Sequence, residues 1–431
     1  MKYSQYNSII QISTKRYILY NALSDKFVSL NNLAKSDIDS LHPDALNNYN
    51  KDLYGKLVSV NAIINDNTDE TKLLKHRIEL IDNDESFFQL HINPTVDCNF
   101  RCWYCYEDHV KGSKMKPEVI EYIKKLTHNI ISKNPTLKVL SFSFFGGEPL
   151  MYFNQIAGPL ISFFDKTCKE HNISYSIHFT SNAYLLTDDI IAFLKNKACS
   201  FQITLDGYKY AHDKVRFMKN GAGSYDVIVN NIKKLVKAGM KVQLRINYTA
   251  ENIIDTGKIA NEFNDLNKNI RNNLAVDFQR VWQDSENEDV SETVKRNINR
   301  FRSNGFIVSY HKVINRVNDS CYGDKKNHLL VNYNGDVFNC TARDFTTENR
   351  AGYLSPEGTV VWENGYPDIR MSSKFSREVC HTCRIAPLCG GGCRQQAVEN
   401  KSPNTCLYNY TDEEINQIIL DRFEFMFIDN H

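Results

Sequence analysis

The chain has 431 residues, 52 Lys and Arg against 51 Asp and Glu, a net charge of +1, and twelve cysteines. Its length suits about three domains at the usual ~150 residues each. Both signs of charge are mixed throughout, which excludes a basic field for nucleic acid and an acidic tail, and no stretch approaches the ~20 apolar residues of a membrane span.

The N-terminus, Met1 to Gln11, holds one lysine and no apolar run, so no secretory signal is expected. Cysteine-rich chains without an export signal predict metal ligands in a reducing cytoplasm, not disulfides. Ser8–Ser13, Arg16–Tyr20 and Lys26–Leu30 read as short strands, followed by mixed helix and a further strand at Leu57–Ile64. That order suits a small winged-helix-like domain over residues 1–85, with Asp82-Asn83-Asp84-Glu85 as a linker.

From 86 to 310 strand-like and helical runs alternate. Strands are expected at His91–Val96, Val139–Phe145, Ser174–Thr180, Phe201–Leu205, Val242–Tyr248 and Ala275–Trp282. Pro117–Ser132 places Val119, Ile120, Ile123, Leu126, Ile130 and Ile131 on one helical face, with Pro117 in the first turn. A second helix starts at Thr187, a good N-cap with Asp188 and Asp189 behind it. A third runs from Ser224 to the terminating Gly239. Six strand–helix units predict an α/β fold, a parallel sheet curled into a partial (β/α)6 TIM-like barrel with function at the strands' C-terminal ends.

At two such ends lie Cys98-x3-Cys102-x2-Cys105 and Gly146-Gly147-Glu148-Pro149. Three thiolates this close can hold three irons of a 4Fe–4S cube and leave the fourth open to another molecule. Trp103, Tyr104 and Tyr106 interleave the cysteines as an apolar wall. The competing reading is tetrahedral zinc, with His109 as fourth ligand; zinc loops, however, usually pair a Cys-x2-Cys with a distant second pair.

Residues 311–431 form a cysteine-rich domain. Cys321 and Cys340 flank Leu329–Tyr333, Asn334-Gly335 and Val337–Asn339, a hairpin signal. Cys380-x2-Cys383-x5-Cys389-x3-Cys393 and Cys406 follow, with Gly390-Gly391-Gly392 letting the backbone wrap closely. A zinc ribbon is the alternative here. These cysteines exceed one zinc site and nearly suffice for two cubes. Cys168 and Cys199 match no motif and read as ordinary buried thiols.

The first motif, with an aromatic before its last cysteine, resembles that of radical SAM enzymes. The gaps Cys321-x13-Gly335-x4-Cys340, then Cys380 to Cys393 and Cys406, resemble the SPASM extension, which carries auxiliary 4Fe–4S clusters. Together the resemblance covers residues 91 to 406. It implies that Cys98, Cys102 and Cys105 bind the cluster that cleaves S-adenosylmethionine. It implies further that Tyr104 packs beside the adenine, and that Gly146, Gly147 and Glu148 offer backbone groups to the methionine amino group. Ser181, Asn182, Thr204 and Asp206 would approach the ribose, Arg245 would pair with the methionine carboxylate, and Val281 and Trp282 would close over the adenine. Asp206-Gly207 has the plainer reading of a turn, and Trp282 that of core.

In the SPASM part, Cys380, Cys383, Cys389 and Cys406 would hold an outer cluster, and Cys321, Cys340 and Cys393 an inner one. Many relatives have another cysteine shortly after the first; Tyr322 to Asn327 contains none. The resemblance implies a radical SAM oxidoreductase acting on a peptide, and its N-terminal segment is similar to the leader-binding segment of ribosomal-peptide maturases. The expected activity is hydrogen abstraction from a side chain of a ribosomal precursor peptide and an intramolecular thioether or carbon–carbon crosslink, with a flavodoxin or ferredoxin as electron donor. The alternatives are an anaerobic sulfatase-maturating enzyme making formylglycine, with Asp277 as a conceivable base, and, from another class, a non-catalytic zinc-stabilised binding module. Neither nucleic acid nor membrane is an expected partner.

Overall fold

The computed structural model describes residues 1–284, 289–310, 315–400, 402 and 404–427. Packing divides them into two units: the described parts of Met1–Asp84, Lys312–Lys326 and Gly365–His431, and those of Glu85–His311 and Asn327–Asn364.

The first unit opens with β1 (Lys2–Tyr3), β2 (Asn7–Ser13), β3 (Arg16–Asn21) and β4 (Lys26–Asn31). β2, β3 and β4 form an antiparallel sheet with β3 central, while β1 pairs with β5 (Ile63–Ile64). Between β4 and β5 lie α1 (Asn32–Ser40), α2 (Pro43–Tyr49) and α3 (Lys51–Ser59); α4 (Glu70–Asp82) follows. The strand expected over Leu57–Ile64 therefore shrinks to its last two residues. Asn50 caps α3 by accepting from Leu53 N at 3.1 Å, and Leu53 and Leu57, one turn apart, are both buried. That helical face overrides the β-branched Val58. Nor does the expected linker begin at Asp82, which ends α4 only 2% exposed. Its carboxylate is held in the interior by Lys374 at 3.0 Å and Arg394 at 2.7 Å.

The second unit contains β6 (Phe87–Ile92), α5 (Pro117–Lys133), β7 (Val139–Phe144), α6 (Gly158–Glu170), β8 (Ser174–Ser181) and α7 (Asp188–Leu194). It continues through β9 (Cys199–Leu205), α8 (Lys209–Val215), α9 (Tyr225–Lys237), β10 (Lys241–Tyr248), α10 (Lys268–Arg271), β11 (Leu274–Arg280), α11 (Ser291–Ser303) and β12 (Ile307–Tyr310). β6 to β12 run parallel, side by side in chain order. On the other side of β6, β13 (His328–Val331) adds in parallel, followed by an antiparallel meander of β14 (Asp336–Phe338), β15 (Gly352–Leu354) and β16 (Val360–Trp362).

One face of this sheet, with Leu90, Phe142, Phe179, Ile203, Leu244 and Val276, packs on helical residues such as Ile123, Phe164 and Ile232 in the main core. The alternate positions are polar: Gln89, His91, Ser143, His178, Thr204, Arg245 and Asp277. A closed TIM barrel fills its interior with branched apolar side chains; a polar inner face leaves the sheet open and its strand ends available to ligands.

The first strand lies earlier than expected, at Phe87–Ile92, because Pro94 has no N–H and Thr95 turns its hydroxyl to Ser113 O at 2.6 Å. β12 is an additional strand, short and with Ile307 63% exposed at the sheet edge. The chain ends in the first unit with α12 (Tyr366–Ser373), α13 (Glu378–His381), α14 (Ala386–Cys389), α15 (Arg394–Glu399) and α16 (Asp412–Phe427). Tyr6, Ile10, Tyr20 and Ile78 share one core there with Val317, Phe375, Cys380 and Ile419. No helix among the described residues is long and apolar enough to cross a membrane.

Candidate active site

Asp97 closes the three-cysteine loop after β6. Its carboxylate accepts Cys98 N and Gly112 N, each at 2.8 Å, and Arg101 at 2.8 Å. Burial pushes the Asp97 carboxyl up, but these donors outweigh it and hold the group below the ordinary aspartate range. Within the loop, Phe100 N lies 3.4 Å from Cys98 Sγ, the N–H contact that a thiolate accepts. Burial raises all three thiols, Cys98 up to about 12 and the exposed Cys105 up to about 11. A metal bound by these sulfurs would have to displace their protons.

The loop after β7 lies against this one. Gly147 N and Glu148 N donate to the carbonyls of Thr95 and Asp97 at 3.2 and 3.0 Å. A Cβ at Gly146 or Gly147 would lie 2.2 Å from Thr95 O or 2.1 Å from Asp97 O. The fully buried Glu148 carboxylate accepts Leu150 N at 3.0 Å, Ser181 Oγ at 2.8 Å and Asn182 N at 2.8 Å. Asn182 gives its side-chain amide to Asn99 at 2.8 Å and stands 3.8 Å from Cys98 Sγ. Ser181 is thus committed to Glu148, while Asn182 reaches the cysteine loop.

Tyr104 turns inward. Its hydroxyl is shared among Asp206, Arg216 at 2.8 Å and Asn247 at 3.0 Å. Asp206, 1% exposed, is ion-paired to Arg216, so its side chain is neither exposed in a turn nor free toward a ribose. Thr204 is half-buried on β9, paired in register with Arg245, whose Nε donates to Asn247 Oδ1 at 2.9 Å. Val281 is buried, with its N–H on Tyr248 O at 2.9 Å. Trp282 is 67% exposed, so it is not core; it stacks on Tyr106 with ring centres 5.9 Å apart. Trp103 is 58% exposed as well, which leaves Tyr104 as the inward member of the expected aromatic wall. His109 faces Val96 O with Nδ1 at 3.0 Å. Among the described residues no three His, Cys, Asp or Glu side chains gather as a single-ion site.

Several site residues escaped sequence reasoning: Asp97, Asn99, Arg216, Asn247 and Glu107. Glu107 is 8% exposed and its Oε2 lacks a hydrogen-bond partner; burial, reinforced by Asp344, pushes it up to about 8. Arg216 had one sequence signal, the run Asp206-x5-His212-x3-Arg216 just past a strand's C-terminal end.

Residues 92–262 match the Radical SAM superfamily. The chain carries a radical SAM domain. Over 135 residues, 28% of this chain and 27% of that protein, it is 35% identical to the radical SAM cyclopropyl synthase TigE of Paramaledivibacter caminithermalis. The matched stretch is thus about a quarter of that protein's length. In fold, the chain is similar to anSMEcpe solved with bound AdoMet and Cp18Cys peptide (TM-score 0.58, 19% identity, 79% of this chain and 97% of that one). It is also similar to Streptococcus suis SuiB bound to S-adenosylmethionine (TM-score 0.52, 16% identity, 94% and 99%).

Outside the radical SAM domain, Cys380, Cys383, Cys389 and Cys406 of the first unit lie within each other's electrostatic reach. Burial, then the neighbouring thiols, pushes Cys380 up to about 12; burial alone dominates at Cys389, up to about 11. Gly390, Gly391 and Gly392 all have left-handed φ, 64°, 84° and 87°, and a Cβ at Gly391 would lie 2.6 Å from Phe375 N. The glycines thus let the backbone between Cys389 and Cys393 pass close against Phe375. Cys393 N donates to Tyr408 Oη at 3.1 Å. Cys321 and Cys393 belong to the first unit and Cys340 to the second, where Ala342 N lies 3.3 Å from Cys340 Sγ. Cys168 and Cys199 are buried in the main core.

Proposed function

We propose that this radical SAM enzyme is a peptide maturase that takes hydrogen from a side chain of a ribosomal precursor and closes an intramolecular thioether or carbon–carbon crosslink. The observation that carries the reading is the loop of Cys98, Cys102 and Cys105, closed by Asp97 at the mouth of a polar-faced sheet. Cys98, Cys102 and Cys105 would hold a 4Fe–4S cluster, which would supply one-electron reduction of the S-adenosylmethionine sulfonium. The chain's own residues bind and orient. Backbone carbonyls of Gly146, Gly147 and Glu148 take the methionine amino group, and Arg245 its carboxylate. Asn182 and Thr204 face the ribose, with Ser181 and Asp206 acting from behind through Glu148 and Arg216. Tyr104, Val281 and Trp282 border the adenine. Fixing both substrates in one geometry replaces a chance encounter.

Cys380, Cys383, Cys389 and Cys406 would hold the outer auxiliary cluster. Such a cluster would suit removal of the second electron from the product, and a flavodoxin or ferredoxin would be the electron donor for the S-adenosylmethionine-cleaving cluster.

The peptide assignment draws support from SuiB, a protein solved with its precursor peptide SuiA. That likeness spans 94% of this chain, against 79% for anSMEcpe, so it takes in most of the first 84 residues. There β2 and β4 are the edges of the three-stranded sheet, where a leader peptide would add as a strand. A sulfatase-maturase reading follows from anSMEcpe and its Cp18Cys peptide. The base it would need, Asp277, is buried and accepts from Gln279 Nε2 at 2.9 Å and Ser309 Oγ at 3.4 Å.

The test is anaerobic reconstitution with dithionite, S-adenosylmethionine and a short peptide encoded beside the gene. Deoxyadenosine and a peptide lighter by two hydrogens are expected. Formylglycine in a sulfatase peptide instead would favour the second reading, and iron-bound protein that forms no deoxyadenosine with either peptide would reject both.

A further inference from the structure

We propose that Arg216 is the positioning residue of the three-cysteine loop, and that its fixed charge sets how readily a cluster held by Cys98, Cys102 and Cys105 is reduced. This rests on the cluster reading above. Arg216 is 9% exposed, and its guanidinium donates through Nε to Asp206 and through Nη2 to Tyr104 Oη at 2.8 Å. Tyr104 sits in the chain between Cys102 and Cys105, so this hydrogen bond ties the loop to the segment after α8, while the bond from Tyr104 to Asp206 ties it to the end of β9. Asn247 Nδ2, at 3.0 Å from the same hydroxyl, ties it to the end of β10.

The arginine is itself held from behind. Asp206 N donates to His212 Nδ1 at 3.1 Å, which puts the ring proton on Nε2, facing Ser224 Oγ at 2.9 Å. Ser224 Oγ then donates to the Arg216 carbonyl at 2.7 Å. Burial keeps this imidazole neutral, pushing it down to about 4. The charge in this cradle therefore belongs to Arg216 and Asp206.

Both charges bear on the loop through one atom, the hydroxyl of Tyr104, next in the chain to Cys105: it donates to Asp206 and accepts from Arg216 Nη2 at 2.8 Å. Reduction adds a negative charge to a cluster that already has three thiolates. In a buried site a nearby cation stabilises that state and raises the potential, whereas a carboxylate lowers it.

Opposite shifts in two variants separate a charge effect from a structural one. R216Q and D206N are reconstituted as full chains, and the midpoint of the S-adenosylmethionine-binding cluster is followed by electron paramagnetic resonance, with iron per chain as a loading control. R216Q should lower the reduced-to-oxidised ratio at fixed poise at least tenfold, about 59 mV for one electron. D206N should raise that ratio. Midpoints unchanged in loaded R216Q, or displaced in the same direction in both variants, overturn the proposal. Should R216Q fail to load iron, R216K decides: a wild-type midpoint supports the charge, and a tenfold fall despite the lysine overturns it. Wild-type protein that binds no cluster would instead refute the underlying function.

Discussion

The Glu148 carboxylate accepts the Asn182 backbone N–H at 2.8 Å, and the Asn182 side chain in turn stands 3.8 Å from Cys98 Sγ. A residue after β7 thereby orients one after β8 against the loop after β6. All three hydrogen bonds to Glu148 come from donors. Glu148→Gln would turn an amide N–H₂ toward at least one of them and leave it unsatisfied, a cost of about 1–3 kcal/mol. The expected outcome is a lower denaturant midpoint for cluster-free E148Q and weaker binding of S-adenosylmethionine to the reconstituted protein. An unchanged midpoint would mean that Glu148 orients nothing.

Two glycines give opposite expectations. At Gly147 a Cβ would meet Asp97 O at 2.1 Å and Val96 C at 2.9 Å, both backbone, so the two loops must part. Gly147→Ala should cost about 1–3 kcal/mol, as overpacking does, and reduce iron retained per chain. At Gly55, exposed within α3, a Cβ meets nothing within 4 Å. Gly55→Ala should stabilise by about 0.5–1 kcal/mol, the usual helix-interior difference. Thermal unfolding of the two variants side by side checks both signs.

The contrast between these positions also shows what the sequence made legible. Local signals read true: Thr187 caps α7 by accepting Ile190 N at 3.3 Å, and Gly239 ends the helix region after α9 with φ 88°. The Cys98–Cys105 spacing and Gly146-Gly147 marked the ends of β6 and β7 because both are short-range demands on the backbone. What stayed hidden depends on residues distant in sequence. Tyr104 and Arg216 lie 112 positions apart, and only the parallel order of the strands brings them together. Asp82 read as solvated because nothing nearby announces Lys374 and Arg394, which lie 292 and 312 residues on.

That buried cluster makes its own prediction. Asp82 and Asp324 share Lys374, at 3.0 and 3.1 Å, and Asp82 also pairs with Arg394 at 2.7 Å. Asp82, Lys374 and Arg394 have side chains 1–2% exposed. Asp82→Asn leaves two buried cations facing a single carboxylate, and removing one partner of a buried pair typically costs about 3–5 kcal/mol. Urea denaturation of D82N should show a loss of that order. A loss below about 1 kcal/mol, the range of exposed pairs, would mean water reaches the cluster. Because the same unit holds Cys380 and its neighbours, D82N should also lose outer-cluster iron before it loses the three-cysteine site.

Acid sensitivity of the first unit should trace to Asp25. Its carboxylate pairs with Arg422 of α16 and accepts Tyr20 Oη at 2.7 Å. Burial acts to raise Asp25, but hydrogen bonds from Arg422 and Tyr20 outweigh it and hold the group below its ordinary value of 3.8. A carboxyl whose folded pKa is depressed contributes stability that is fully present above the unfolded value, and this is lost as pH falls through the folded one. The loss belongs to the window below about pH 4, and not to neutral pH. Asp25→Asn keeps a residue suited to the left-handed φ of 57° found there, while removing the titration. D25N should be less stable than wild type at pH 7, and the two should converge toward pH 3 in unfolding melts. Parallel curves across that range would show that the Asp25–Arg422 pair carries none of the acid lability.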